Sequence, residues 1–105
     1  MSRNSKLSRA ARLLLDGKGL TDDWSADTIR ECDAYIRKHA QEDLGEALKL
    51  ARYFAQQTRR LPGTLYSVAL RTLGWVMLLN ASFTDARKAY LKARKLVRSD
   101  SSARA

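Results

Sequence analysis

The stretch that decides the fold runs from Val68 to Val97 and reads VALRTLGWVMLLNASFTDARKAYLKARKLV. Apolar residues recur in it at every third or fourth position, on both sides of a short polar break at residues 80–82. This spacing is typical of amphipathic α-helices. Because so short a connection forces two helices to run antiparallel, the stretch predicts a helical hairpin.

Each helix of this hairpin has one apolar face with its own mixture of small and large residues. The two faces consist of Leu70, Leu73, Gly74 and Met77 in the first helix and Ala86, Tyr90, Ala93 and Val97 in the second. Gly74 and Ala86 remove bulk where the two backbones approach, and Tyr90 supplies a large side chain across the contact. We therefore expect the two helices to pack closely.

The order of these residues resembles that of a tetratricopeptide repeat, in which a large residue, Leu-Gly and a large residue precede Ala, an aromatic residue and Ala. The matching positions here are Leu70, Leu73-Gly74, Met77, Ala86, Tyr90 and Ala93. Two positions depart from the pattern, since Ala81 replaces the usual Gly and Arg98 the usual Pro. The resemblance implies a right-handed α-solenoid; a generic helical hairpin is the alternative.

Upstream, the sequence predicts a second, divergent hairpin. Its first helix follows Ser25 and buries Ile29, Cys32, Ile36 and Ala40. Its second helix begins near Asp43, where Asp43-x-x-Glu46 resembles a capping box, and extends towards Arg60. Ala47, Ala51 and Phe54 supply the apolar face of that helix.

The complete prediction is an all-α domain of about five helices. It comprises a disordered tail at 1–4, a leading helix at 5–17, the divergent hairpin at 25–60, the repeat-like hairpin at 64–98, and a tail or the start of a truncated further helix at 99–105. One small domain of this kind is what 105 residues accommodate.

The charge, the apolar runs and the cysteine count favour some classes of protein and exclude others. The chain carries 20 Lys and Arg against 11 Asp and Glu, a formal net charge of +9. Such an excess suggests an acidic partner or nucleic acid, with a merely solvated helix surface as the alternative. Apolar runs are far shorter than the roughly 18 residues of a membrane span. A single cysteine excludes an internal disulfide framework and is consistent with a cytoplasmic protein.

Catalytic chemistry has little support in the sequence. Cys32 and His39 are seven residues apart on one predicted helix, about 10 Å along its axis, which is too far for a hydrogen bond. No other Cys or His exists to complete a metal site, and no glycine-rich phosphate loop is present. The prediction is a protein that is not an enzyme and that uses no cofactor or metal.

The resemblance implies a binding surface instead. In tetratricopeptide repeats the first helix of each pair lines a groove for a peptide or a partner helix, which here places Val68, Arg71, Trp75 and Leu78 towards the groove. Arg71 would pair with a carboxylate and Trp75 would serve as an aromatic anchor. In the alternative interpretation, Trp75 packs against the neighbouring helix. Homodimerisation is another way to cover the apolar surface that the two predicted hairpins leave exposed.

A basic segment near the end of the chain supports a second function. Its residues are Arg87, Lys88, Lys92, Arg94, Lys95 and Arg98. Contacts between such cations and phosphates give sequence-independent nucleic-acid affinity. The sequence favours a protein or peptide partner, of acidic character, and keeps nucleic acid as the alternative.

Overall fold

A computed structural model describes residues 26–104, with side chains to residue 98, and these residues form four α-helices. They are α1 (Ala26–Ala40), α2 (Leu44–Gln57), α3 (Gly63–Leu79) and α4 (Phe83–Arg104). The all-α prediction is confirmed for this range, but with four helices in place of about five. The predicted tail at 1–4 and leading helix at 5–17 lie outside the described residues.

The apolar faces predicted for α1 and α2 form most of the core. Ile29, Cys32 and Ile36 of α1 are at most 1% exposed. From α2, Phe54 is the largest fully buried side chain, and Ala47 and Ala51 are buried beside it. The small alanines bring the α2 backbone close to its neighbours, while Phe54 fills the space that remains.

Helix α3 is central to the packing, because it contacts α1, α2 and α4. Ala69 and Val76 belong to the core cluster, and Leu65, Leu73 and Trp75 pack against that cluster as half-buried residues. This helix is therefore apolar over much of its circumference. A helix in this position buries one side against α1 and α2 and another against α4.

The contact between α3 and α4 is as close as the sequence indicated. A Cβ placed on Gly74 would lie 3.0–3.2 Å from three ring carbons of Tyr90, closer than ordinary van der Waals contact. Ala86 and Ala93 are buried on the same side of α4. Val97, predicted to share this face, is 40% exposed, and it lies one helical turn past Ala93, the last buried residue in the described part of α4.

The helix boundaries follow local hydrogen bonding. Asp43 caps α2 by accepting the N–H of Glu46 at 3.0 Å, as predicted. At the other end α2 finishes at Gln57, short of Arg60, where the Thr58 hydroxyl donates to the carbonyl of Phe54. That carbonyl also accepts the Thr58 N–H, so the hydroxyl adds a second donor at the C-terminal end of the helix.

The turn between α3 and α4 places a non-glycine residue in the left-handed region. The Ser82 N–H donates to the Met77 carbonyl and the Ala81 N–H to the Leu78 carbonyl, which is the Schellman pattern. Ala81 has φ 59°. This is the position at which the repeat pattern has Gly, and an L-residue there costs about 1–2 kcal/mol.

Helix α4 continues to Arg104, six residues past the predicted end at Arg98. The loss of apolar periodicity after Val97 suggested a tail or a new helix. Backbone hydrogen bonds do not require an apolar face, however, and residues 99–104 contain neither Gly nor Pro to end the helix.

Candidate functional site

The predicted groove residues lie along one side of α3 but differ in burial. Val68 is half-buried and packs against the core cluster. Trp75 is half-buried, whereas Arg71 is exposed and Leu78 is 41% exposed. Val68 thus contributes mainly to the core, and Arg71, Trp75 and Leu78 are the members accessible to a partner.

Trp75 contacts the neighbouring helix α1 through Arg37. The guanidinium carbon of Arg37 lies 5.1 Å from the centroid of the Trp75 ring, within the range of a cation–π interaction. The indole also packs against the core cluster. Packing against a neighbouring helix, one of the two interpretations of Trp75, is therefore present, and the ring still keeps part of its surface in solvent.

Arg37 is held in place by Asp33, one helical turn earlier. The Nε of Arg37 donates to Oδ1 of Asp33 at 2.7 Å. The hydroxyl of Thr72 on α3 donates to the same carboxylate oxygen at 2.5 Å. Asp33 consequently performs two tasks: it orients the guanidinium over Trp75, and it links α1 to α3 with a charge-assisted hydrogen bond.

Tyr90 of α4 adds a phenol to this surface. Burial raises the pKa of Tyr90 above its ordinary value of 10.0, while the positive charges of Arg37 and Arg71 oppose that shift. The Tyr90 ring packs against Gly74, the residue that precedes Trp75 in α3. We call Arg37, Arg71, Trp75 and Tyr90, contributed by three helices, the Trp75 site.

The electrostatics of the Trp75 site favour a negatively charged ligand. The described residues form two ion pairs, Arg30–Asp27 and Arg37–Asp33, so Arg71 has no carboxylate partner among them. Asp33 balances the charge of Arg37 only. An exposed guanidinium beside a partly exposed indole can bind a carboxylate and an apolar side chain together.

Sequence reasoning missed the participation of Arg37, Asp33 and Tyr90 in this surface. The Asp33–Arg37 spacing of four residues did signal an ion pair on one helix face. Nothing in the sequence related that pair to Thr72, which is 39 residues from Asp33. Tyr90 was assigned to the hairpin contact alone.

Cys32 and His39 occupy different environments. Cys32 is fully buried, and that burial raises the pKa of its thiol to about 12, so the thiol is neutral near pH 7. His39 is half-buried and stacks on Tyr35 with ring centroids 5.7 Å apart. Within the described residues, no three His, Cys, Asp or Glu side chains lie together in a group that could hold a metal ion.

The basic residues predicted as phosphate contacts all lie on the solvent side of α4. Arg87, Lys88, Lys92, Arg94, Lys95 and Arg98 are each exposed. The opposite side of the helix carries the buried Ala86, Ala89 and Ala93. These two groups occupy opposite sides because the sequence alternates them with helical period.

Comparisons with known proteins leave the family open. No family model matches the chain, and neither a curated protein nor a solved structure matches it. The tetratricopeptide resemblance therefore stays a prediction. Separately, no helix within residues 26–104 combines the length and the hydropathy needed to cross a membrane.

Proposed function

We propose that this chain is a non-catalytic interaction module that binds an acidic segment of another protein at the Trp75 site. The observation that carries the proposal is the pairing of a partly exposed indole with an exposed guanidinium that lacks a carboxylate partner among the described residues. Trp and Arg are the residue types that most often dominate the binding energy of protein interfaces.

The support for an acidic segment is the positive charge that Arg71 leaves unbalanced. A carboxylate of the partner would accept from its guanidinium, and an adjacent apolar side chain would lie on the free part of Trp75. Arg37 is already oriented by Asp33 at 2.7 Å, so this half of the site loses little side-chain entropy on binding.

The proposed architecture is a short tetratricopeptide-like solenoid. Its support is the central position of α3, which contacts both helices of the preceding pair as well as α4. The close approach of Tyr90 to Gly74 is a second support, because it lies at the small and aromatic positions of the repeat pattern.

Selection from a random twelve-residue peptide library, with the whole chain immobilised, tests the proposal. We expect the selected peptides to be enriched in Asp and Glu next to an apolar residue. Their affinity, measured by fluorescence anisotropy of a labelled peptide, should fall at least about tenfold in Arg71→Gln and in Trp75→Ala, about 1.4 kcal/mol.

Arg52→Gln is the matched control, since Arg52 is an exposed arginine on α2 and its removal changes the net charge equally. An equal loss of affinity in Arg52→Gln would contradict the assigned site, and so would selected peptides without acidic residues. Sedimentation equilibrium addresses self-association. If the chain forms a dimer and Trp75→Ala dissociates it, then the partner bound at the Trp75 site is a second copy of the chain rather than another protein.

A further inference from the structure

The outward face of α4 carries a concentration of positive charge that the Trp75 site does not use. Six cations lie between residues 87 and 98, and Asp85 is the one acidic residue from 83 to 98. None of the six forms an ion pair with another described residue. We call Arg87, Lys88, Lys92, Arg94, Lys95 and Arg98 the α4 basic face.

The six cations form two parallel rows along the helix. Arg87, Arg94 and Arg98 recur at intervals of seven and four residues, and Lys88, Lys92 and Lys95 at intervals of four and three. Such intervals bring side chains onto one side of a helix. At 1.5 Å per residue, the rows extend over about 16 Å from residue 87 to residue 98.

One cation is positioned by the neighbouring helix. The Nζ of Lys92 lies 5.5 Å from the centroid of the Tyr66 ring on α3. Lys92 nevertheless remains exposed. Its ammonium group is therefore held near the border of α3 and α4 while it can still contact a ligand.

The packing of α4 argues against a membrane surface as the ligand. An interfacial helix inserts its apolar side among the lipids. In α4 that side is centred on Ala86, Ala89 and Ala93, which are 0–8% exposed in the folded protein. Within residues 83–98, the exposed apolar side chains of α4 are Phe83, Leu91 and Val97, which are separated by eight and six residues and form no continuous apolar face.

A nucleic-acid duplex provides the anion array that fits two rows of cations. It carries one negative charge per 1.7 Å of its axis, so about 16 Å of helix faces several phosphates. Arginine binds a phosphate with two parallel hydrogen bonds, and lysine binds it as a point charge. Binding of single strands relies on rows of exposed aromatic residues, and α4 exposes one aromatic side chain within residues 83–98, Phe83.

We propose that the α4 basic face binds the phosphate backbone of double-stranded nucleic acid without sequence preference. This function is separate from peptide binding at the Trp75 site, since none of the six cations belongs to that site. The ligand contributes phosphates and no base contacts, so affinity should depend on salt and hardly at all on base composition.

The test is fluorescence anisotropy with a labelled 20-base-pair DNA duplex of mixed sequence, at about 50 and 200 mM salt. If all six cations contact phosphates, the affinity should fall by about 10³-fold between these concentrations. The triple variant Lys88→Gln/Lys92→Gln/Lys95→Gln should flatten the slope of log K against log salt by about 2.7, which corresponds to three lost contacts.

A second triple variant, Arg87→Gln/Arg94→Gln/Arg98→Gln, should flatten the slope similarly. The matched control is Lys38→Gln/Lys49→Gln/Arg52→Gln, which removes three exposed cations from α1 and α2. The control has the same net charge as the α4 variants and should keep the native slope. Circular dichroism verifies that each variant is folded, and glutamine substitutions on exposed helix positions preserve helix propensity.

Four outcomes would overturn the proposal. They are no duplex binding at 50 mM salt, a control variant that loses as much affinity as the α4 variants, equal binding of poly-L-glutamate, and tighter binding of vesicles containing phosphatidylserine. Arg71→Gln and Trp75→Ala should leave duplex binding nearly unchanged, so failure of either proposed site is seen independently of the other.

Discussion

The α3–α4 interface is centred on small and aromatic side chains, whereas the α1–α3 interface includes a carboxylate, a hydroxyl and a guanidinium. In the first, Tyr90 fits over Gly74. In the second, Asp33 accepts from Thr72 and from Arg37, which lies over Trp75. The first interface is specified by shape and the second by hydrogen-bond direction, so they should respond to different perturbations.

Shape should dominate the response of the α3–α4 interface. Gly74→Val places a branched side chain where even a Cβ would lie 3.0 Å from the Tyr90 ring. We expect a loss of about 3 kcal/mol in the free energy of unfolding, the upper part of the range for overpacked cores. Urea denaturation followed by circular dichroism measures it.

Gly45→Val is the control for that substitution. A Cβ on Gly45 would meet a single atom, the Asp43 carboxylate oxygen at 3.7 Å, which is an ordinary contact. If both variants lose equal stability, the effect comes from helix propensity, and the interpretation of Gly74 as a site of close approach is wrong.

The burial of Cys32 in the core should make the free energy of unfolding depend on pH. The pKa of Cys32 is raised by burial from 9.0 to about 12, so the folded protein disfavours the thiolate that the unfolded chain readily forms. This contribution is complete below pH 9 and is lost as pH rises towards 12. At pH 10 the loss should be about 1.4 kcal/mol, one pH unit above the unfolded pKa.

Urea titrations at pH 8.5 and pH 10, with Cys32→Ala as the control, measure that loss. The control still contains Tyr90, whose pKa is also raised. Ionisation of Tyr90 at high pH therefore lowers the free energy of unfolding in both proteins. An identical pH dependence in the two proteins would show that the Cys32 thiol is accessible to solvent in the folded state.

Hydrogen bonding should dominate the response of the α1–α3 interface. Thr72→Val removes the hydroxyl that donates to Asp33 while it conserves the volume of the buried side chain. We expect the free energy of unfolding to fall by about 1 kcal/mol. Asp33 keeps Arg37 as a donor, and the valine side chain fills the space of Thr72 without leaving a cavity. A double-mutant cycle with Asp33→Asn isolates the coupling between the two side chains.

Thr72→Ser retains the hydroxyl and should retain most of that coupling. A coupling near zero in the cycle would mean that the α1–α3 interface is held by its apolar contacts alone. The alkylation rate of Cys32 under native conditions provides a second measurement, since weakening this interface should make α1 open more often.

The smallest expected effect is a gain in stability at the α3–α4 turn. Ala81→Gly relieves the left-handed conformation at φ 59°, which costs an L-residue about 1–2 kcal/mol. Glycine also loses more backbone entropy on folding, so we expect a net gain of about 0.5–1 kcal/mol. A higher Tm in differential scanning calorimetry checks it, and Asn80→Gly, at the preceding position with negative φ, should give no such gain.

The helices were predictable to within a few residues because their signals are local. Helical periodicity located α1 to α4, Asp43 marked the start of α2, and the proximity of Gly74 and Tyr90 followed from the order of small and large residues. The end of α4 was placed too early, since a change of periodicity was treated as a stop where no helix-breaking residue exists.

The sequence by itself determined the all-α class, the hairpin and the basic character of α4, because each depends on residues within one or two helical turns. Only the tertiary structure decided that Arg37 lies over Trp75 and that Asp33 bonds to Thr72. Those contacts depend on the relative register of α1 and α3, which belongs to the packing of a core to which α1, α2 and α3 all contribute. Side chains 38 or 39 residues apart carry no periodic signal that would reveal such a register.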